Sequence, residues 1–106
     1  MVIKATNIMT PERIAKMSTT GVMRSYGGFL KLMENNEEAK NSGPIKQSVA
    51  NLNSSLKKNK EEVRRILDRN IKFYEGEKEK FDDPNYSRRK EDLESIIHAG
   101  KDILGE

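Results

Sequence analysis

The stretch from Asp83 to Glu94 has the spacing that comes nearest to a metal site. Five oxygen-bearing residues occupy positions 1, 3, 5, 9 and 12 of a Ca²⁺-loop template: Asp83, Asn85, Ser87, Glu91 and Glu94. The sixth position, where the sharp turn requires glycine, is Arg88, and Arg88-Arg89-Lys90 would place three cations inside a cation site. Capping and the helix dipole account for polar and acidic residues at a helix start. We therefore predict no bound metal.

Residues for catalysis are sparse. His98 is the only histidine, and the absence of cysteine excludes disulfides, thiolate metal sites and a thiol nucleophile. His98 lies beside the apolar side of the predicted C-terminal helix, so we expect a partly buried, structural imidazole there. The sequence contains no glycine-rich phosphate loop and no serine in a strained-turn motif. We therefore predict a protein that is not an enzyme and needs no cofactor.

Four basic residues on one face of the predicted central helix could bind phosphates: Lys58, Arg65, Arg69 and Lys72. They span about 20 Å of helix, enough to follow a nucleic-acid backbone. Glu61, Glu62 and Asp68 lie beside them, and no aromatic residue stands among them to stack on bases. The net charge of +3 is also small for a nucleic-acid binder. A solvated helix face is the simpler interpretation, and nucleic-acid binding is an alternative.

The composition predicts one small helical domain. The chain has 106 residues, of which 34% are hydrophobic and 35% charged, with little glycine or proline. No apolar run approaches the length of a membrane span. The first nine residues read as a short extended lead that is too polar for a signal peptide, so we expect a cytoplasmic protein, with signal-peptide-independent export left open.

Three helices are expected in the domain formed by residues 10–106. Helix 1 covers about 11–40, starts at Thr10-Pro11-Glu12 and is soft at Gly21 and Gly27-Gly28. After the turn Asn41–Pro44, helix 2 covers about 45–81, and helix 3 covers about 84–104. The predicted fold is an all-α antiparallel helical hairpin with a long central helix plus a shorter C-terminal helix, a three-helix bundle of elongated or coiled-coil-like form.

Helix 2 has the strongest pattern in the chain. Its apolar residues keep one phase from Ile45 to Phe81, which corresponds to a helix of about 55 Å. Helices 1 and 3 would cover this face only loosely, so part of it should serve as an interface. The predicted partner or oligomer interface is Val49, Leu52, Leu56, Asn59, Val63, Leu67, Asn70, Ile71 and Tyr74. Asn59 and Asn70 fall at d and a positions of a heptad, where a polar residue fixes register, or they lie solvated at its edge.

These features favour a non-catalytic protein–protein interaction module that acts through an amphipathic helix. An adaptor, a chaperone, a secretion partner and an inhibitor all fit this description. The partner would be another protein or a second copy of the chain.

The turn also carries a family resemblance. Asn41-Ser42-Gly43 lies in mid-chain, with Gly43 at the place of a motif glycine, and Phe73 with Glu77 loosely matches an aromatic-plus-acid export motif. Over about residues 8–81 the chain thus resembles small secreted helical hairpins of the ESAT-6/WXG100 type. Asn41 stands where that family has its signature Trp, and helix 3 is an addition. The resemblance implies a small secreted helical hairpin.

Overall fold

The computed structural model describes residues 8–106, and in this range the chain is helical with no strand. The all-α class is therefore confirmed. Six α-helices occur in the described range: α1 Pro11–Ala15, α2 Thr19–Asn35, α3 Glu37–Lys40, α4 Gly43–Lys57, α5 Lys60–Glu77 and α6 Ser87–Leu104. Two 3₁₀ segments, Lys78–Asp82 and Pro84–Tyr86, connect α5 to α6. Residues 1–7 of the predicted lead lie outside the described range.

The prediction of one central helix from about 45 to 81 is wrong, because Lys58 and Asn59 separate α4 from α5. Asn59 has φ −129° and ψ 44°, outside the helical region. A continuous helix would need about 55 Å, whereas the longest dimension of the fold is 39 Å. No apolar residue lies between Leu56 and Val63, so nothing in this stretch is held against the core. Asparagine at the break is itself a poor helix former.

The predicted helix over 11–40 is divided into α1, α2 and α3, and the breaks do not fall at the glycines. The side chain of Ser18 caps α2 by accepting a hydrogen bond from the Gly21 N–H at 3.1 Å. Asn36 caps α3 in the same way, accepting from the Ala39 N–H at 3.1 Å. A capping side chain satisfies backbone donors that the preceding helix cannot, and it therefore starts a new helix.

The connection between α3 and α4 lies at the predicted turn, although its chemistry differs from the expectation. Ser42 caps α4 by accepting from the Ile45 N–H at 3.4 Å, and Gly43 is the first helical residue. Among the described residues the one glycine with positive φ is Gly105, at 73°, which ends α6. The α6 helix ends at Leu104 as predicted for the C-terminal helix, and it begins at Ser87, three residues after the predicted start.

The helices pack in a more divided arrangement than the predicted three-helix bundle. α6 packs mainly against α2 and α5, α2 packs also against α4, and α1 covers part of α4. Residues 8–81 hold five α-helices in place of two, so the two long helices that the ESAT-6/WXG100 resemblance implies are not continuous. The radius of gyration is 14.1 Å, close to the roughly 13 Å of a compact domain of this length.

Apolar side chains from α2, α4, α5 and α6 meet in the core. The largest fully buried apolar side chains are Met23, Leu52, Leu56, Val63, Ile66, Leu67 and Leu93, each at most 1% exposed. α2 and α6 approach most closely at Gly27, where a Cβ would lie 1.9 Å from the carbonyl oxygen of Ser95. Gly27 is therefore a packing requirement, because any larger residue would separate the two helices.

The backbone of Met9 is bound to α4. Its N–H donates to the hydroxyl oxygen of the buried Ser48 at 2.9 Å, and its carbonyl accepts from the Asn51 amide at 2.9 Å. Ser48 in turn donates to the Pro44 carbonyl at 2.9 Å. These bonds fix the entry of the chain into α1.

Candidate interaction site

The fold buries most of the predicted interface. Leu52, Leu56, Val63, Leu67 and Asn70 are at most 5% exposed. The expectation that they form an external interface is therefore wrong, because α2 and α6 cover them. Val49 is half-buried against the core, and Asn59 is exposed at the helix break. Ile71 and Tyr74 are half-buried near the end of α5.

At two consecutive residues of α5, the polar side chain is more deeply buried than the apolar one. We call this the inverted polarity of α5. Asn70 is 5% exposed, while the next residue, Ile71, is only half-buried. The Asn70 amide donates to the Ile66 carbonyl at 2.8 Å, so its burial is compensated by one hydrogen bond within the helix. Burial of apolar area alone would favour the opposite arrangement. The fold therefore leaves part of the Ile71 side chain accessible while it buries the neighbouring amide.

Ile71 lines a groove between α5 and α6. We define the α5–α6 groove by its lining residues, Ile71, Tyr74 and Glu75 of α5 with Glu94, Ile97, His98 and Lys101 of α6. Its volume is about 340 Å³. The two helices run antiparallel, since Leu67 packs beside Gly100 and Glu77 bonds to Arg89. The apolar floor is thus bordered by charged side chains from both helices.

A second groove, between α2 and α6, is more polar. It has a volume of about 290 Å³ and is lined by Gly27, Lys31, Glu34, Asn35, Glu94, Ser95 and His98. His98 Nε2 lies 3.3 Å from Glu34 Oε1, and its side chain is 46% exposed. His98 is therefore more exposed than a structural core histidine would be. Glu94 and His98 form the ridge that separates this groove from the α5–α6 groove.

Arg89 joins the ends of α5 and α6. It donates two hydrogen bonds of 2.9 Å to the Glu77 carboxylate, and this bonding lowers the pKa of Glu77 and raises that of Arg89. The guanidinium carbon also lies 5.5 Å from the ring centroid of Phe73, which is 42% exposed. The aromatic and acidic residues of the family resemblance thus both contact one arginine of α6.

The four predicted phosphate contacts are divided by the helix break. Arg65, Arg69 and Lys72 are exposed on α5, and Lys58 precedes that helix. Arg65 forms an ion pair with Glu62, and this hydrogen bonding lowers the pKa of Glu62. A hollow of about 580 Å³ brings Lys58 and Arg65 together with Lys57, Asn59, Lys60, Glu61 and Glu62. We call Lys57, Lys58, Lys60 and Arg65 the basic corner.

A buried tyrosine joins three helices. Tyr26 of α2, 2% exposed, donates to Asp102 Oδ2 of α6 at 2.6 Å and accepts from the Asn53 amide of α4 at 2.9 Å. Burial, together with the bond to Asp102, raises the pKa of Tyr26 to about 12. No local pattern links residues 76 positions apart, and sequence reasoning therefore missed this contact. The contact ties the helices together and lies outside both grooves.

We expect Tyr26→Phe to lower the free energy of unfolding by about 1–2 kcal/mol at neutral pH, because Asp102 loses a charge-assisted bond. The raised pKa means that the folded state favours neutral Tyr26. Its contribution is complete below about pH 10 and is lost as the pH rises toward 12. The stability difference between wild type and variant, from urea unfolding at several pH values, should therefore shrink above pH 10. A difference that grows with pH would contradict this assignment.

The residues of the Ca²⁺-loop template do not converge in the fold. Asp83 Oδ1 accepts from the Asn85 N–H at 2.9 Å, while Glu91 and Glu94 lie within α6. Between residues 8 and 106 no group of three histidine, aspartate or glutamate side chains could hold a metal ion. In the same part of the chain no helix is long and apolar enough to cross a membrane.

The chain matches no protein-family model, no curated protein and no solved structure. Its function is therefore inferred from the geometry of the described residues.

Proposed function

We propose that the protein is a non-catalytic interaction module whose binding site is the α5–α6 groove. The inverted polarity of α5 carries this proposal. Asn70 is buried, while Ile71 is only partly buried beside Ile97 and Tyr74. A partly exposed apolar floor bordered by charged residues is typical of protein interfaces.

A helix is the partner that fits this site. A groove between two antiparallel helices accepts the apolar face of a third helix, which places side chains at i, i+3 or i+4 onto the floor. Glu75 and Glu94 on one end of the groove and Lys101 on the other can pair with charges that flank such a face. An adaptor, a chaperone, a secretion partner and an inhibitor would all use a surface of this kind.

A photo-crosslinking residue placed at Ile97 tests the proposal in the cells that make the protein. We expect an adduct with a protein, because Ile97 lies on the groove floor. The same residue at Ala50, which is exposed on α4 and lines neither groove, serves as the matched control. Adducts are resolved by denaturing electrophoresis and identified by mass spectrometry.

A second substitution tests whether the adduct forms in the α5–α6 groove. Ile71→Lys changes the opposite wall and should abolish the adduct formed from position 97, while circular dichroism shows retained helix content. The proposal fails if positions 97 and 50 give the same adducts, or if the adduct survives Ile71→Lys.

A second candidate function is nucleic-acid binding at the basic corner. The observation that favours it is the helix break, which gathers Lys57, Lys58, Lys60 and Arg65 around one hollow. Clustered cations bind phosphates chiefly by releasing condensed counterions. Glu61 and Glu62 line the same hollow and reduce its positive potential, so this function ranks second.

For nucleic-acid binding at the basic corner, we expect the affinity for a single-stranded oligonucleotide to fall with a log–log salt slope near −3, from about four phosphate contacts. Lys58→Glu combined with Arg65→Glu should reduce that affinity at least about tenfold. The matched control, Lys16→Glu with Lys46→Glu, changes the net charge equally at exposed sites elsewhere. Fluorescence anisotropy gives the affinities. Equal losses in both double variants would refute a specific site.

A further inference from the structure

We infer that the α5–α6 groove is covered by the same groove of a second copy of this chain, with the two α6 helices packed antiparallel about a two-fold axis near Ile97 and His98. This inference rests on the proposed function, since it names the occupant of that groove. It is carried by the charge pattern along α6 and by the antiparallel register of α5 and α6.

The register places the acidic groove residues at one end. Glu77 bonds to Arg89, and Leu67 packs beside Gly100, so residue numbers at the same level of α5 and α6 sum to about 167. Glu75 of α5 therefore lies near the level of Glu94 of α6. Both carboxylates border the end of the groove nearest the α5–α6 connection, and Lys101 borders the other end.

This polarity is self-complementary about a two-fold axis. In a two-fold interface every contact occurs twice: if residue i of one copy contacts residue j of the other, then residue j of the first copy contacts residue i of the second. Glu94 and Lys101 are seven residues apart, about 10.5 Å along α6, and their midpoint lies between Ile97 and His98. An antiparallel α6 from a second copy would bring its Lys101 between Glu75 and Glu94, and the reverse pairing would follow at the other end.

The apolar contact at the centre also fits two copies. On a helical wheel Glu94 and Lys101 lie on nearly one line, and Ile97 lies about 50° to the α5 side of it. Each Ile97 would therefore face the groove floor that Ile71 and Tyr74 of the other copy form. Because this floor is small, the dimer should depend on protein concentration.

The solution mass of the full chain tests the inference. Sedimentation equilibrium over a concentration series should show the mass rise from 12.1 kDa toward twice that value. Lys101→Glu and Glu94→Lys should each weaken self-association at least about tenfold, because each sets like charges together across the axis. The combined Glu94→Lys and Lys101→Glu chain restores opposite charges between these two positions and should associate at least about threefold more tightly than Lys101→Glu alone, while repulsion from Glu75 keeps it weaker than wild type.

Disulfide formation gives an independent measurement, because the wild-type chain has no cysteine. His98→Cys places a thiol beside the axis and should form a disulfide-linked dimer at least about tenfold faster than Ala50→Cys, which is exposed on α4. Equal rates for the two variants would overturn the two-fold arrangement, as would a mass of 12.1 kDa at every concentration.

The photo-crosslinking experiment separates this inference from the proposed function. An adduct of position 97 with a second copy supports both. An adduct with a different protein that Ile71→Lys abolishes supports the proposed function and overturns the second copy as partner. The absence of any adduct specific to position 97 overturns both.

Discussion

Gly27→Ala is expected to destabilise the fold by about 3–5 kcal/mol, a large part of the stability of a domain of this size. A Cβ at this position would lie 1.9 Å from the carbonyl oxygen of Ser95, so α2 and α6 would have to separate by more than 1 Å. The obstacle belongs to the backbone, and no side-chain rotation can relieve it. Separation would also loosen the packing of Met23 and Ile96 in the core.

The neighbouring glycine provides a matched control. A Cβ at Gly28 meets nothing within 4 Å, so Gly28→Ala should stabilise α2 by up to about 1 kcal/mol through helix propensity. Urea unfolding followed by circular dichroism measures both variants. The close helix contact would be refuted if Gly27→Ala were as stable as Gly28→Ala. Ser95→Gly should not rescue Gly27→Ala, since it leaves the carbonyl in place.

The start of α1 and the helical class were within reach of sequence reasoning, because they depend on local chemistry. Thr10 caps α1 by accepting from the Arg13 N–H at 3.3 Å, and Pro11 is the first helical residue, as the sequence indicates. The turn before α4 and the C-terminal helix likewise follow from capping residues and proline.

A helical wheel could not reveal the break between α4 and α5. Leu56 and Val63 are seven residues apart, which is close to two full turns of helix. They therefore fall on the same face of a helical wheel, and the wheel shows one apolar face whether or not the helix is continuous. A wheel records angle and contains no information on translation or bending. The better signal was the absence of any apolar residue from Lys57 to Glu62, combined with asparagine in the middle.

The burial of Asn70 and the exposure of Ile71 depend on tertiary packing. The apolar residues of α5 define a face that includes Ile71, but the face that is buried also includes Ile66 and Asn70. The predicted interface on α5 is therefore largely core, since Val63 and Leu67 are fully buried. Gly27 was interpreted as a weak point of the helix, because sequence alone does not show that Ser95 lies against it.

Leu67→Ala should lower the free energy of unfolding by about 2–5 kcal/mol, because Leu67 is fully buried and truncation leaves a cavity beside α6. If Leu67 were an interface residue, as its place on the helical wheel suggested, truncation would weaken association and leave unfolding unchanged. Ile71→Ala on the same helix is the matched control, and it should cost less, about 1–2 kcal/mol, because Ile71 is only partly buried.

Gly100 makes this test sharper through a double-mutant cycle. A Cβ at Gly100 would lie 3.0 Å from both Cβ and Cδ1 of Leu67, so Gly100→Ala should be destabilising by about 1–3 kcal/mol despite its gain in helix propensity. Leu67→Ala removes Cδ1 and leaves only Cβ in the way. The double variant should therefore be more stable than the sum of the single effects by about 1 kcal/mol or more, as measured by urea unfolding. Strict additivity would show that α5 and α6 do not meet at these two residues, and the register that positions Glu75, Glu94 and Lys101 around the α5–α6 groove would then be wrong.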